Sequence, residues 1–343
     1  MEMNNNMHSF KVHKMTSASL QNQHGFSLLE VFITLIIGLV IFAGVLSVFV
    51  GMRTTTSETS SYGELQENGR FAISVLTDDL LRQDFWGDYT GSIDLASINP
   101  VPGAPVGECA GDGINNGTFP LAAGNFRTLW GTTTTSATIM SGCRTDARIG
   151  SDVIQLKRAV STPLALVAGN AAPAGNYYFV SNMNNGAIFA AGAVPLVENS
   201  QVWEYQHHIY YVRDETQGSN VVPVLMQGQL ANTLTFAPII DGIEMIRFEY
   251  GIDTEVSPTA AGYGIVNAYV PAANMTPALW NNASSRIIAV KVYVLARGIQ
   301  PDNKYENTNT YQLAGFDYTV NDNYHRLLFT STVTLYNASI DTW

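Results

Sequence analysis

Charged side chains are scarce in this sequence of 343 residues, and positive ones are the scarcer kind. Asp, Glu, Lys and Arg together make up 13% of the chain, with 17 basic against 28 acidic residues and a net charge of −11. A protein that holds a phosphate backbone needs clustered Lys and Arg. We therefore expect no direct binding to nucleic acid.

Cysteine is nearly absent as well. The chain has two cysteines, Cys109 and Cys143, which are too few for a disulfide framework. In an exported domain an even pair favours one disulfide, and two free buried thiols are the alternative. Closing this loop would contribute roughly 3–4 kcal/mol in the chain-entropy account of disulfides.

The motifs of common catalytic and cofactor sites are also missing. The sequence contains no P-loop, Gly-x-Ser-x-Gly, His-Glu-x-x-His or Cys-x-x-Cys pattern. Neighbours on a strand face opposite sides, so His207 and His208 would not easily share a metal, and we expect two half-exposed strand histidines. Residues 112–117 resemble a calcium loop at first glance, but Ile114 lies where such a loop needs a ligand. A turn is therefore the better interpretation. The sequence predicts a protein that is not an enzyme and has no cofactor or metal site.

One segment near the N-terminus lacks both charge and proline. Residues 31–52 contain no Lys, Arg, Asp, Glu or Pro, and a helix of this length can cross the hydrocarbon core of a bilayer. The only charge near its start is Glu30. A carboxylate at that depth costs about 2.5–3.5 kcal/mol on insertion scales, which makes Glu30 a candidate functional residue.

Proline is missing from residue 26 to residue 82, so the sequence allows one helix over about 26–85, with a transmembrane part over about 26–52. Apolar residues recur at helical spacing in its second half: Tyr62, Leu65, Ala72, Val75, Leu76, Leu80 and Leu81. This stripe predicts a helix that packs against a head domain. Asn68 and Gly69 are unfavourable in the middle of a helix, and we expect a tight crossing against the head there.

After Trp86 the sequence changes to Gly, Ser, Thr, Asn and Pro with short apolar runs, which predicts a β-rich head over residues 86–343. The expected fold class is α+β, with a long N-terminal helix packed on a mostly antiparallel β head. Residues 99–148 are loop-rich, and the cysteine pair would staple them. The predicted strands are 152–158, 176–181, 187–190, 201–213, 221–227, 243–252, 287–297 and 327–336, with a hairpin turn within 215–219.

The segment Gly25-Phe26-Ser27-Leu28-Leu29-Glu30, after a polar and weakly basic leader, resembles the processing site of type IV prepilins. The resemblance implies that residues 1–25 are a leader which prepilin peptidase removes between Gly25 and Phe26. It also implies N-methylation of Phe26 and pairing of Glu30 with the N-terminal ammonium of a neighbouring subunit. Translation could start at Met1, Met7 or Met15.

A second resemblance lies in residues 65–72, a Leu-Gln-Glu-Asn-Gly-Arg-Phe-Ala block similar to one in the PilW family of minor pilins. Its signature residues are Gln66, Glu67, Asn68, Gly69, Arg70 and Phe71. Residues 242–245, 250–254, 288–292 and 328–333 follow in the PilW order. Where relatives often continue Asp-Thr with a calcium-loop-like run, Asp253 and Thr254 lead into Glu-Val-Ser-Pro, and we expect no calcium site.

The resemblance implies a minor pilin in the inner membrane with a periplasmic head, which later joins a pilus that serves twitching motility, attachment or DNA uptake. Its expected partners are other minor pilins, the major pilin and prepilin peptidase, and its expected role is priming of pilus assembly and formation of the tip. The alternatives are a minor pseudopilin of type II secretion, of the GspJ kind, and a tip adhesin with a ligand site within residues 86–150. A third is an unprocessed, membrane-anchored protein.

Overall fold

The computed structural model describes residues 25–255, 257–281 and 285–339. It contains one long helix, α1 (Leu28–Leu81), and two single-turn helices, α2 (Pro277–Trp280) and α3 (Tyr336–Ser339). The chain forms two compact units, of which the first ends at Glu58 and the second begins at Thr59. The second unit therefore combines the last part of α1 with all the strands.

The first unit is helical, and its apolar side chains are exposed. From Leu28 to Met52 every side chain of α1 is solvent-accessible, and this stretch is long and apolar enough to cross a membrane. Such a helix near the N-terminus indicates membrane anchoring. The leader predicted over residues 1–25 lies outside the described residues except for Gly25.

The second unit contains fifteen described strands. In chain order they are β1 (Leu129–Thr133), β2 (Asp152–Ala159), β3 (Ala171–Ala172), β4 (Tyr177–Ser181), β5 (Gly186–Phe189), β6 (Gly192–Ala193), β7 (Gln201–Gln217), β8 (Asn220–Leu230), β9 (Leu234–Asp241), β10 (Ile243–Asp253), β11 (Ala268–Pro271), β12 (Arg286–Arg297), β13 (Thr310–Leu313), β14 (Phe316–Thr319) and β15 (Arg326–Thr334).

The larger sheet has seven strands and is built around β7. The first part of β7 pairs with β4, its middle with β2, and its second part with β8. Strands β1, β5 and β9 extend the sheet by pairing with β2, β4 and β8. A two-residue turn at Gly218 and Ser219 joins β7 to β8, inside the predicted turn segment, and the positive φ of Gly218 suits a tight hairpin. Every one of these pairings is antiparallel.

The second sheet has the order β11-β10-β12-β15, again with antiparallel pairing throughout. One buried apolar cluster joins both sheets to α1. Leu65, Ala72, Leu76 and Leu80 of α1 belong to it, at most 3% exposed. The helical stripe in the sequence therefore marks the face of α1 that the head covers, except at its two ends, where Tyr62 is 41% and Leu81 46% exposed.

The predicted α+β class is confirmed, because a long N-terminal helix packs its second part on antiparallel sheets. All eight predicted strands have a counterpart within a few residues. Strands β1, β9, β11, β13 and β14 and the two-residue strands were not expected. The region 99–148 is mostly irregular, as predicted, but it is not peripheral, since Cys109, Phe119, Trp130 and Ile139 are buried in the core.

Candidate assembly site and helix–head junction

The predicted processing site lies at the start of α1. Gly25 and Phe26 precede the helix, and Phe26 is 79% exposed. Ser27 forms the first cap of the helix, since its Oγ accepts a hydrogen bond from the backbone N–H of Glu30 at 3.2 Å. The predicted cleavage position thus lies in a short non-helical segment directly before a capped helix.

Glu30 lies in the first turn of α1 and is exposed. Among the described residues no cation comes within ion-pair distance of its carboxylate. A carboxylate near a helix N-terminus is favourable for the helix dipole. At the edge of an apolar membrane stretch, however, it needs a polar partner or access to the headgroup region.

The second part of α1 meets the head through the Asn68–Gly69 pair. A Cβ added at Gly69 would overlap the ring of Phe329 on β15 and lie 2.5 Å from its Cδ2 atom. Asn68 donates a side-chain hydrogen bond to the carbonyl of Asp241 at 3.2 Å, and Gly242 follows with φ +78°. This is the tight crossing that the unfavourable Asn-Gly pair predicts.

The other signature residues face away from the head. Gln66, Glu67, Arg70 and Phe71 are all exposed, Phe71 to 46%. No side-chain hydrogen bond or ion pair joins these four to other described residues. The predicted signature therefore divides into a head-facing pair, Asn68 and Gly69, and a solvent-facing group of four.

A second contact joins α1 to the end of the head near β15. The Tyr62 hydroxyl lies 2.8 Å from Nδ1 of His325, and Nε2 of His325 lies 3.2 Å from Oδ2 of Asp302. The His325 ring also stacks on Tyr305, with ring centres 3.8 Å apart. Tyr62 remains 41% exposed, so it contacts the head with its polar end rather than as a core residue.

Asp79 anchors the last turn of α1 to the larger sheet. Its Oδ1 accepts hydrogen bonds from Nε and Nη2 of Arg158 at 3.1 and 2.8 Å. Its Oδ2 contacts Nδ1 of His208 at 2.7 Å and accepts a hydrogen bond from the Tyr210 hydroxyl at 3.0 Å. Burial raises the pKa of Asp79, but the hydrogen bond and charge of His208, together with Arg158, lower it to about 2. The carboxylate is thus charged, buried and fully paired.

Several arginine side chains surround Glu244 of the second sheet. Glu244, at 1% exposure, pairs with Arg326 through two contacts of 2.5 and 3.0 Å and with Arg148 at 3.2 Å. Arg297 lies 3.7 Å away, and Arg326 also pairs with Asp322 at 2.6 Å. One buried carboxylate therefore joins β10, β12, β15 and the loop before β2. Sequence reasoning missed both this cluster and the Asp79 anchor.

The prediction of half-exposed histidines is wrong. His207 is fully buried between Thr118 and Gln155, and His208 is 9% exposed. They do face opposite sides of β7, but both sides are covered, one of them by Asp79 of α1. Burial lowers the pKa of His207 far below its usual value, so His207 is a neutral core residue.

Cys109 and Cys143 form a disulfide with their Cα atoms 5.2 Å apart. It joins the buried Cys109 of the loop-rich region to Cys143, which directly follows the 3₁₀ turn Met140–Gly142. The predicted pairing of the two cysteines is thus present in the structure. It closes a loop that includes β1 of the larger sheet.

The Asp253 carboxylate accepts its hydrogen bonds from other groups of the protein. It accepts hydrogen bonds from the backbone N–H groups of Glu255 and Gly264, each at 2.8 Å, and from Arg286 Nη2 at 2.8 Å. Burial raises the pKa of Asp253, but these partners outweigh it and lower the pKa. The arrangement orders the loop after β10. No cluster of three or more metal-binding side chains occurs in the described ranges.

Comparison with known proteins gives one family match. Residues 209–337 match the family described as PilW, type IV pilus-assembly protein W. No curated protein sequence matches the chain. The solved structure of the type IV-like pilin TTHA1219 from Thermus thermophilus is similar at 14% identity and a TM-score of 0.37, covering 80% of this chain and 98% of that one.

The family match runs from the second part of β7 to the first half of α3 and includes Glu244, Phe329 and the late segments. It is narrower than the resemblance seen in the sequence and does not include residues 65–72, whose assignment to PilW stays a prediction. Over its range it confirms the family that the late segments predict. Residues 209–337 are thus similar to the PilW family of pilus-assembly proteins.

Proposed function

We propose that this chain is a minor pilin that takes part in starting type IV pilus assembly and in forming the pilus tip. The observation that carries the proposal is the exposed Glu30 carboxylate, without a partner among the described residues, four residues after Phe26 on an apolar helix. The PilW match over residues 209–337 supports a place among pilus components. Pilins are structural proteins, and we propose a structural, non-catalytic role.

Processing comes first in this proposal. Prepilin peptidase removes the leader, residues 1–25, and the new N-terminus at Phe26 is methylated. Gly25 and Phe26 precede the first helical residue, Leu28, so a peptidase can reach the bond between them without unwinding α1. The mature chain then begins at Phe26 and consists of α1 (Leu28–Leu81) followed by the β-rich head.

Assembly follows from the chemistry of the two charges. Neither the Glu30 carboxylate nor the Phe26 ammonium is stable alone in a low-dielectric membrane, and each stabilises the other when paired. Because both lie on the same exposed helix end, the simplest partner for Glu30 is the N-terminus of a neighbouring subunit. The partners are other minor pilins and the major pilin. The protein spans the inner membrane once with a periplasmic head before it joins the pilus.

The experiment is complementation of a strain that lacks this gene, with surface pili counted by electron microscopy. Glu30→Gln keeps the shape of the side chain and removes its charge, and we expect it to leave the strain as poorly piliated as the deletion. Glu58→Gln is the control, because Glu58 is an exposed carboxylate on the same helix beyond the apolar stretch. It should restore pili.

Wild-type pilus numbers with Glu30→Gln, at equal protein levels, would contradict the assembly role of Glu30. The same strains also distinguish the rival function. If the deletion stops secretion of exoproteins and leaves pilus numbers unchanged, the chain is a pseudopilin of a secretion system rather than a pilus subunit.

A further inference from the structure

A cleft of about 460 Å³ opens in the head just after the end of α1. The loop over residues 84–94 forms one wall, and residues 125, 126, 128, 280, 281 and 337 form the others. Among the described residues that line the cleft, Asp84 and Asp94 are acidic and none is Lys, Arg or His. The lining is therefore negative, and an anionic guest would be repelled without meeting a counter-charge.

The Asp84 carboxylate has only neutral hydrogen-bond partners. Its Oδ1 accepts hydrogen bonds from Trp86 Nε1 at 3.1 Å and from the Thr128 hydroxyl at 3.4 Å. In the part of the chain that the structure describes, no donor reaches Oδ2 and no cation pairs with the carboxylate. One carboxylate oxygen in the lining of the cleft is therefore open to a guest.

The surroundings of Asp84 make a missing counter-charge costly. Burial raises the pKa of Asp84, because the charged form is poorly solvated there. Arg127 does not compensate it, since its guanidinium bonds Asn281 Oδ1 at 2.9 Å and pairs with Asp112 at 3.4 Å. Asp84 also has a φ of +62°, and non-glycine residues held in this region often mark functional positions. A guest that brings a positive charge would stabilise this carboxylate.

Asp94 adds a second negative charge to the same cleft. Its Oδ1 accepts hydrogen bonds from the backbone N–H groups of Ala96 and Ser97, each at 2.9 Å, and its Oδ2 accepts one from the Ser92 hydroxyl at 3.0 Å. Burial raises the pKa of Asp94, but these hydrogen bonds outweigh it and lower the pKa. Asp94 therefore keeps its charge.

Aromatic side chains make up most of the apolar lining: Phe85, Trp86, Tyr89, Phe126 and Trp280. The faces of aromatic rings attract organic cations. A calcium or magnesium ion needs about six oxygen ligands in a close shell, and the described residues hold no group of three or more metal-binding side chains. Two carboxylates beside aromatic surface therefore favour an organic cation over a metal ion.

We propose that this cleft binds an organic cation, through a primary ammonium or guanidinium group such as a lysine or arginine side chain carries. The cation pairs with Oδ2 of Asp84, and its other N–H groups donate to amide and hydroxyl oxygens of the lining, such as that of Thr90. A neutral guest would leave both carboxylates uncompensated. A partner polypeptide and a free amine both carry this chemistry.

The test titrates the full-length protein, in a non-ionic detergent, with small probes by isothermal titration calorimetry. The cationic probes are the capped tripeptides acetyl-Gly-Lys-Gly-amide and acetyl-Gly-Arg-Gly-amide. The norleucine tripeptide has an apolar side chain without the charge, and butylamine represents a free amine. We expect saturable binding of a cationic tripeptide and none of the norleucine tripeptide. Tighter binding of the tripeptide than of butylamine indicates a polypeptide as the source of the cation, and equal binding indicates a free amine.

Asp84→Asn should weaken binding of the cationic tripeptide by roughly 10-fold or more, because a charge-assisted hydrogen bond is lost. Asn tolerates positive φ, so the fold should remain. Asp88→Asn is the matched control, since it removes the same charge from an exposed position on the same loop outside the lining, and it should bind like the wild type. In the wild-type protein, the indole N–H resonance of Trp86 should shift on titration, because this group donates to Asp84.

The proposal is overturned if the folded protein binds neither cationic tripeptide, or if it binds the norleucine tripeptide equally well. Equal weakening by Asp84→Asn and Asp88→Asn would show attraction to the overall negative charge of the head rather than a site. An unchanged Trp86 resonance at saturation would place the cation elsewhere, and complete displacement of the tripeptide by equimolar calcium would make the cleft a metal site. Pilus assembly in the complemented strain is measured separately, so failure here leaves the proposed pilin role intact.

Discussion

Gly69 of α1 and Phe329 of β15 touch so closely that no other residue type fits at position 69 without movement of the ring. A glycine in the middle of a helix costs about 1 kcal/mol relative to alanine. The contact explains why the helix tolerates this cost, because it brings the backbone of α1 directly onto the second sheet. Asn68 adds its hydrogen bond to the Asp241 carbonyl at the same crossing.

Gly69→Ala should therefore destabilise the head although alanine is the better helix former. The added methyl group overlaps the Phe329 ring, and overpacking of this kind typically costs about 1–3 kcal/mol. Gly63→Ala is the matched control, because a Cβ at Gly63 meets no atom within 4 Å. It should raise the free energy of unfolding by up to about 1 kcal/mol. Denaturant unfolding monitored by tryptophan fluorescence measures both.

The same pair can be tested for coupling. Phe329→Leu shortens the side chain that the new methyl group meets, so the double variant Gly69→Ala/Phe329→Leu should be more stable than the sum of the two single changes predicts. Additive effects, or a stabilising Gly69→Ala, would show that α1 does not depend on this crossing.

Asp79→Asn should destabilise the head by about 3 kcal/mol, because it leaves the buried Arg158 guanidinium without its counter-charge. Asp78→Asn is the control, since Asp78 lies one residue away and forms an exposed pair with Arg82. That change should cost less than about 1 kcal/mol. Equal effects of the two substitutions would contradict the anchoring role of Asp79.

The lowered pKa of Asp79 predicts that the head loses stability in acid. Its folded pKa of about 2 lies below its ordinary value of 3.8, so the folded state favours the charged form. The resulting contribution, about 2 kcal/mol, is present above pH 4 and is lost as the pH falls towards 2. The difference in unfolding free energy between wild type and Asp79→Asn should shrink over this range. A difference that stays constant from pH 5 to pH 2 would rule out this source of acid sensitivity.

The raised pKa of Asp152 predicts the opposite effect of pH on the stability of the head. It is fully buried, 3.3 Å from Arg247 Nε, and burial raises its pKa to about 7 despite that charge and hydrogen bonds from Thr133 and Phe248. The Asp152 carboxyl therefore binds its proton more tightly in the folded state than in the unfolded state. Its contribution to stability falls as the pH rises from 4 to 7 and levels off above 7. The fall amounts to roughly 4 kcal/mol.

Asp152→Asn removes this titration and should be less sensitive than wild type to pH between 4 and 7, as measured by denaturant unfolding at several pH values. Asp146→Asn, on a half-exposed carboxylate with a lowered pKa, is the control and should keep the wild-type trend in that range. Parallel curves for wild type and Asp152→Asn would show that Asp152 titrates normally.

The disulfide should contribute roughly 3–4 kcal/mol, because it restricts the unfolded chain over a separation of 34 residues. Cys109→Ser/Cys143→Ser should lower the unfolding free energy by that amount, and reduction of the wild-type protein should produce a similar loss. The double variant must not respond to reductant. An unchanged unfolding midpoint after complete reduction, shown by thiol titration, would contradict a stabilising role.

The sequence predicted those parts of the fold that depend on local pattern. The stripe from Leu65 to Leu80 identified the buried face of α1, and the alternation over residues 243–252 identified β10. Strand β9 was missed because Pro238 lies in its apolar run and argues against a strand, although a strand paired only along one side can accommodate it.

The polar clusters could not be predicted, because they depend on contacts between distant parts of the chain. Arg158 and His208 lie 79 and 129 positions after Asp79, and no spacing rule connects them. The histidine error has the same cause. The alternation of side chains along β7 places His207 and His208 on opposite sides of the sheet, but only the packed fold shows that both sides are buried.

Processing between Gly25 and Phe26 is the step on which the proposed pilin role depends most. Mass spectrometry of the N-terminal peptide, from cells with and without active prepilin peptidase, tests it most directly. We predict that the protein from peptidase-competent cells begins at Phe26 with a methylated α-amino group, and that it retains the leader when the peptidase is absent. Protein that still carries residues 1–25 in peptidase-competent cells would contradict the claim.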